Sequence, residues 1–169
     1  MFFFLFQIGE VSIEGSIFSS CCVLELESQN TPSRTGTEKP ANSSSNSGTK
    51  ILCGAHDRRL HCWNDRLEPE WEVELDSEIY STPFHCHIGH AQSTTITAAA
   101  TSNSCTVLHD CVCVCSVRGV IYLVDVCSSS VLGSHRLPGD VFSSPVSLDN
   151  LLVVGCRDDH IYCVQLTLT

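Results

Sequence analysis

The chain has 169 residues, 43% of them hydrophobic and 17% charged, and a formal net charge of −10. An acidic chain without clustered Lys and Arg is ill suited to a phosphate backbone or an anionic bilayer, so neither nucleic acid nor membrane is an expected partner. Its twelve cysteines lie largely inside apolar runs, as at Cys53, Cys62, Cys156 and Cys163, where a free thiol acts as a small buried hydrophobe; a reduced, cytoplasmic setting is expected.

Residues 1–9 form an unassigned N-terminal stretch. Met1 to Phe6 is apolar, but the run stops at Gln7 and no Lys or Arg precedes Arg34. A secretory signal needs a basic start and about 7–15 apolar residues, and no run reaches the roughly 20 residues of a membrane span. Residues 10–75 read as a first repeat. It holds Ile17-Phe18-Ser19-Ser20, then the polar stretch Ser28 to Lys50, then Gly54-Ala55-His56-Asp57-Arg58-Arg59-Leu60-His61-Cys62, and a strand from Pro69 to Leu75 carrying Trp71. The stretch 28–50 is too poor in apolar surface to offset the entropy of ordering and is expected as a flexible insertion.

Residues 76–137 read as a second repeat. The opening phrase returns as Ile79-Tyr80-Ser81-Thr82-Pro83, followed by His85, Cys86, His87 and His90 in an expected loop. A second insertion is expected around 102–116, and Arg118 to Val124 loosely repeats the Gly-Asp phrase. Residues 138–169 read as a truncated third repeat. Here Val141-Phe142-Ser143-Ser144-Pro145 lies in an expected strand from Val141 to Val146. Asp149-Asn150 is a turn signal, Leu151 to Gly155 a strand covered on both faces, and Ile161 to Leu166 an alternating strand.

The aromatic positions Phe18, Tyr80 and Phe142 are evenly spaced along the chain. The step from Ile121 to Ile161, which carries no insertion, is about 40 residues, the length of a propeller blade built of short strands. Removing the two insertions brings the other steps to the same period. The expected fold is all-β: a partial β-propeller of about three four-stranded antiparallel blades. Propellers close with about 4–8 blades, so the ring is incomplete and the end blades are expected to expose an edge and an apolar face. Poor solubility or oligomerisation of the isolated chain is expected on that basis, and the interruptions at 28–50 and 102–116 suggest a truncated or mis-spliced product.

At these residues a family comes into view. VFSSP and VVGCRDDHIYCVQL resemble the pyrrolo-quinoline-quinone-type repeat of quinoprotein-like propellers, and Trp71 in Glu70-Trp71-Glu72 resembles the Trp that closes a blade there. More narrowly, YSTPF, AAATS, LPGDVFSSPV and VGCRDDHIYC resemble the C-terminal propeller of the beta-alanine-activating branch of the acyl-CoA synthetase family. The resemblance implies an amino-acid-activating ligase that uses ATP and a phosphopantetheine carrier, with adenylation and carrier domains preceding the propeller. This sequence has no Gly/Ser/Thr-rich phosphate loop followed by Lys and no Gly-Gly-x-Ser carrier motif, so none of that chemistry transfers to a residue here.

The candidate chemical groups favour structural readings. His109, Cys111, Cys113 and Cys115 suggest zinc, but Cys-x-Cys-x-Cys on a strand separates same-face side chains by about 6.8 Å, too far for neighbouring ligands with bonds of about 2.3 Å. His85, His87 and His90 have no acidic residue near them in sequence and read as a solvated loop. Asp57 and Asp158 occupy matching turns and read as turn caps rather than calcium ligands. Ser19, Ser20, Ser143 and Ser144 recur beside an aromatic without a nucleophile elbow, and repetition argues for structure, because an active site is needed once. Asn42-Ser43-Ser44 matches a glycosylation sequon, relevant only in the secretory pathway.

No catalytic, cofactor-binding or metal residue is therefore assigned, and a quinone is not expected because three blades do not enclose one. The expected function is a non-catalytic scaffold or interaction portion of an ATP-dependent, carrier-dependent beta-alanine-activating ligase. Its partners would be the adenylation and carrier domains of the parent chain or another protein. The alternatives are a fragment of a quinoprotein-type oxidoreductase and a free-standing WD-like adaptor; the latter is disfavoured by the lack of Gly-His and Trp-Asp pairs at blade ends.

Overall fold

The computed structural model describes residues 7, 9–26, 48–91 and 106–167, with side chains given outside 89–91 and 106–109. Most of the expected insertion 28–50, and the first part of that at 102–116, lie outside the described residues. The described residues contain strands and no helix, as the short, β-branched and alternating segments predict. The first antiparallel sheet has the order β1 (Cys22–Leu26), β2 (Gly48–Gly54), β3 (Arg59–Asn64) and β4 (Pro69–Glu74). The second follows the same order with β5 (Phe84–Ala91), β6 (Thr106–Cys115), β7 (Val120–Asp125) and β8 (Val131–Arg136). The third holds β9 (Val146–Leu148), β10 (Leu151–Gly155) and β11 (Ile161–Gln165) in the order β11-β10-β9.

The sheets stack face to face through two cores. Leu24, Leu26, Leu52, Leu60 and Cys62 of the first sheet meet Val112, Val114 and Val124 of the second. On the other side of the second sheet, Cys86, Cys111, Cys113, Cys115 and Ile121 meet Leu152 and Val154 of the third. The alternation of a strand explains both sides of β6: odd residues Cys111, Cys113 and Cys115 face one way, and Val112 and Val114 face the other, all fully buried. Burying a valine-sized side chain contributes about 1.5–3 kcal/mol, so this one strand anchors both interfaces.

Three placements differ from the sequence reading. Thr106–Cys115, expected within an insertion, is the second strand of its sheet, because its alternating Val and Cys side chains supply both cores. Val141 to Pro145, expected in a strand, precedes β9; Pro145 has no N–H to give a ladder, and pairing begins at Val146. The stretch bearing His85 and His87 is not a loop but β5, paired with β6 along its whole length.

The opening phrase performs the same task in each repeat. Ser19 Oγ donates to the Gly54 carbonyl at 2.8 Å, Ser81 Oγ to the Cys115 carbonyl at 2.8 Å and Ser143 Oγ to the Gly155 carbonyl at 2.7 Å. Each serine thus extends the sheet by one step past the start of its inner strand. The next residue links the repeats: Ser20 N–H donates to Thr82 Oγ1 at 3.1 Å, and Thr82 N–H donates to Ser144 Oγ at 2.8 Å. The Trp71 indole donates to the Val126 carbonyl at 3.1 Å, tying the outer strand of the first sheet to the second.

The hairpins after β2, β6 and β10 also coincide. Ala55, Ser116 and Cys156 N–H groups donate to the carbonyls of Arg59, Val120 and His160. A residue one or two places before the returning strand is left-handed in all three, with φ of 70° at Arg58, 79° at Gly119 and 66° at Asp159. Gly119 also has no room for a side chain: a Cβ there would lie 2.1 Å from the Gly139 carbonyl oxygen.

The two end sheets differ. Residues 9–16 lie across the outer face of the first, where Ser16 accepts from His56 N–H and His61 and Trp63 are buried. On the third sheet Leu148 and Ile161 are 74% and 79% exposed, and no described strand pairs with the far edge of β11.

Candidate functional site

The repeated phrase places its aromatics in a row. The Phe18 and Tyr80 rings stack with centroids 4.8 Å apart, and Tyr80 meets Phe142 at 5.4 Å. His56 packs edge-on against both Phe18 and Tyr80, and the Arg157 guanidinium lies over Phe142 at 5.2 Å, a cation–π geometry. The row crosses all three sheets, yet Phe18 and Phe142 remain 60% and 41% exposed, with Ile17 beside them at 49%. A contiguous exposed aromatic strip carries contact area at low entropic cost and suits a binding surface.

The turn aspartates serve the backbone. Asp57 Oδ1 accepts from Arg59 N–H at 3.0 Å, and Asp158 Oδ1 from His160 N–H at 3.3 Å. Their second oxygens reach four residues on: Asp57 Oδ2 lies 2.8 Å from His61 Nε2, and Asp158 Oδ2 accepts from the Tyr162 hydroxyl. That bond pushes Tyr162 up to about 12 and holds Asp158 below the usual carboxylate range. His61, Trp63, Glu72 and residues 11–14 border a cavity of about 320 Å³, with the His61 ring stacked on Trp63.

The cysteines of β6 are core residues. Burial pushes the Cys62, Cys111 and Cys115 thiols up to about 12, and Cys53 to about 11. Its contact with Cys86, 3.6 Å away, together with burial, holds Cys113 far above the ordinary thiol range. Cys111, Cys113 and Cys115 point in file into the core with the third sheet, so these three thiols are not gathered about one point. The side chains of His90 and His109 lie outside the description.

The strand pairing does create one group that sequence distance hid. His87 faces Asp110 in the β5–β6 register, and His85 sits two residues earlier on the same face. His85 Nε2 and His87 Nδ1 lie 3.2 and 3.0 Å from the same oxygen, Asp110 Oδ1.

Comparison with known proteins gives the stacked repeats a context. Over 117 residues, 69% of its length, the chain is 33% identical to the human beta-alanine-activating enzyme and 31% identical to the mouse one. The Drosophila melanogaster enzyme is 26% identical over 126 residues, 68% of the chain. This chain is a relative of the beta-alanine-activating enzymes. It spans 9% of the length of the human and mouse enzymes and 11% of the fly one. No family model matches it. Among solved structures, BBS1N from its complex with ARL6DN superposes with a TM-score of 0.52 at 14% identity, covering 71% of this chain and 35% of BBS1N. BamB from Moraxella catarrhalis gives 0.48 at 18% identity over 69% of this chain and 30% of BamB. BBS1N is a β-propeller, and with three stacked antiparallel sheets the relative described here is a β-propeller portion. No helix among the described residues is long and apolar enough to cross a membrane.

Proposed function

We propose that this chain is the non-catalytic scaffold of a carrier-dependent amino-acid-activating ligase, a set of pyrrolo-quinoline-quinone-type blades used for interaction rather than for a quinone. Adenylation by ATP and capture on a phosphopantetheine arm would belong to other domains, and the propeller would hold those domains or a protein partner in register. The single observation that carries this reading is the row of Phe18, Tyr80 and Phe142, exposed at both ends about a half-buried Tyr80. Each ring comes from the same place in its repeat, as suits an extended contact surface. The reading includes a cytoplasmic setting, which the free state of every described cysteine supports.

The test is calorimetric titration of the chain with the adenylation–carrier segment of a beta-alanine-activating enzyme. Saturable binding that is lost in the Phe18→Ser/Phe142→Ser double variant is expected. Absence of binding, or ATP–pyrophosphate exchange catalysed by this chain alone, would overturn the proposal.

A further inference from the structure

The features that build the blades recur: the clamp serines, the left-handed hairpin residue and the aromatic row. The His85, His87 and Asp110 group does not. One repeat interval earlier, the places of His85 and His87 hold Val23 and Glu25; one interval later they hold Ser147 and Asp149. Thr49 on β2 and Asn150 beside β10 stand where Asp110 stands on β6. Folding the second sheet does not require two imidazoles and a carboxylate here, since its neighbours do without them.

The three ligand atoms lie within 4.8 Å of one another. Two of the separations, 3.2 and 3.0 Å, are close to the edge of about 3.3 Å in a tetrahedron with bonds of about 2.0–2.1 Å. His85 and Asp110 are three-quarters covered, whereas His87 is 60% exposed, so the group opens to solvent on one side. Paired strands fix the backbone beneath all three residues, since His87 and Asp110 are register partners. Two nitrogens and one oxygen suit zinc, cobalt, nickel or copper rather than calcium or magnesium, which prefer oxygen shells.

We propose that His85 Nε2, His87 Nδ1 and Asp110 Oδ1 form a three-ligand site for one divalent transition-metal ion, its remaining position open to water or to a group from a partner. The ion would tie the inner strand of the second blade to β6 on the side facing the first blade. This inference is independent of the scaffold reading, because it concerns a different face and a different ligand.

The test is titration of the full chain with Co²⁺ alone, after alkylation of the exposed thiols, among them Cys21, Cys127 and Cys163. Visible d–d absorption that saturates at one equivalent, without a thiolate-to-cobalt charge-transfer band, is expected. His87→Ala and Asp110→Asn should each weaken binding by at least about tenfold. Mass spectrometry of the unmutated chain should show Zn²⁺ protecting His85 and His87, but not His160, from acylation by diethyl pyrocarbonate. Binding that persists in both variants, a charge-transfer band, or unprotected His85 and His87 would overturn the proposal.

Discussion

Replacing Ser81 by alanine removes one oxygen that serves two buried backbone groups. Ser81 Oγ accepts from Cys115 N–H and donates to the Cys115 carbonyl, both at 2.8 Å, and both residues are 0% exposed. A buried backbone group left unpaired costs about 1–3 kcal/mol, so Ser81→Ala should lose about 2–6 kcal/mol against a typical domain stability of about 5–15 kcal/mol. The third repeat supplies an internal control. Ser143 Oγ makes the same two bonds to Gly155, at 3.1 Å from N–H and 2.7 Å to the carbonyl, but it is exposed. Water can replace it there, and Ser143→Ala should cost about 1 kcal/mol or less. Urea unfolding followed by tryptophan fluorescence, with the slope held common, measures both. Equal losses, or a smaller loss for Ser81→Ala, would refute the claim that burial sets the worth of this repeated clamp.

Asp159→Gly should stabilise the chain by up to about 1 kcal/mol, because the φ of 66° strains a residue with a Cβ, whereas Gly119→Ala should destabilise it by more than that; thermal melts of the pair test the hairpin assignment. Stability should fall in alkali. The thiols of Cys62, Cys111 and Cys115 titrate at about 12 in the fold and at about 8.5 when unfolded, so their contribution is complete below about pH 8.5. It then declines by up to about 1.4 kcal/mol per pH unit and per thiol as pH rises toward 12. Denaturation at pH 7, 9 and 10 should show this fall, and a Cys111→Val/Cys115→Val double variant should flatten it. Trp71→Phe removes the indole bond to Val126 and should cost about 1 kcal/mol, read as a lower unfolding midpoint with unchanged slope.

The repeat period and the turn role of Asp57 and Asp158 were legible in the sequence because each rests on local chemistry: a Gly-Asp turn, an apolar run, a phrase recurring at a fixed interval. The His85–His87–Asp110 group was not legible. Asp110 stands far beyond His87 along the chain and meets it only through the β5–β6 register, which is lost when 102–116 is read as an insertion. Taken as a strand covered on both sides, Asp110-Cys-Val-Cys-Val-Cys115 joins the two halves of the site. The row of Phe18, Tyr80 and Phe142 was half legible: their even spacing implied equivalent places, but ring-to-ring contact depends on how closely the sheets stack.

Because each sheet touches only its sequence neighbours, cohesion runs along one dimension, and the two ends need not be equal. The first sheet has a flap of chain over its outer side, while the third shows bare leucine and isoleucine. Fraying should therefore start at β11 and travel inward, so amide exchange should be fastest in β11 and slowest in β6, the strand gripped from both directions.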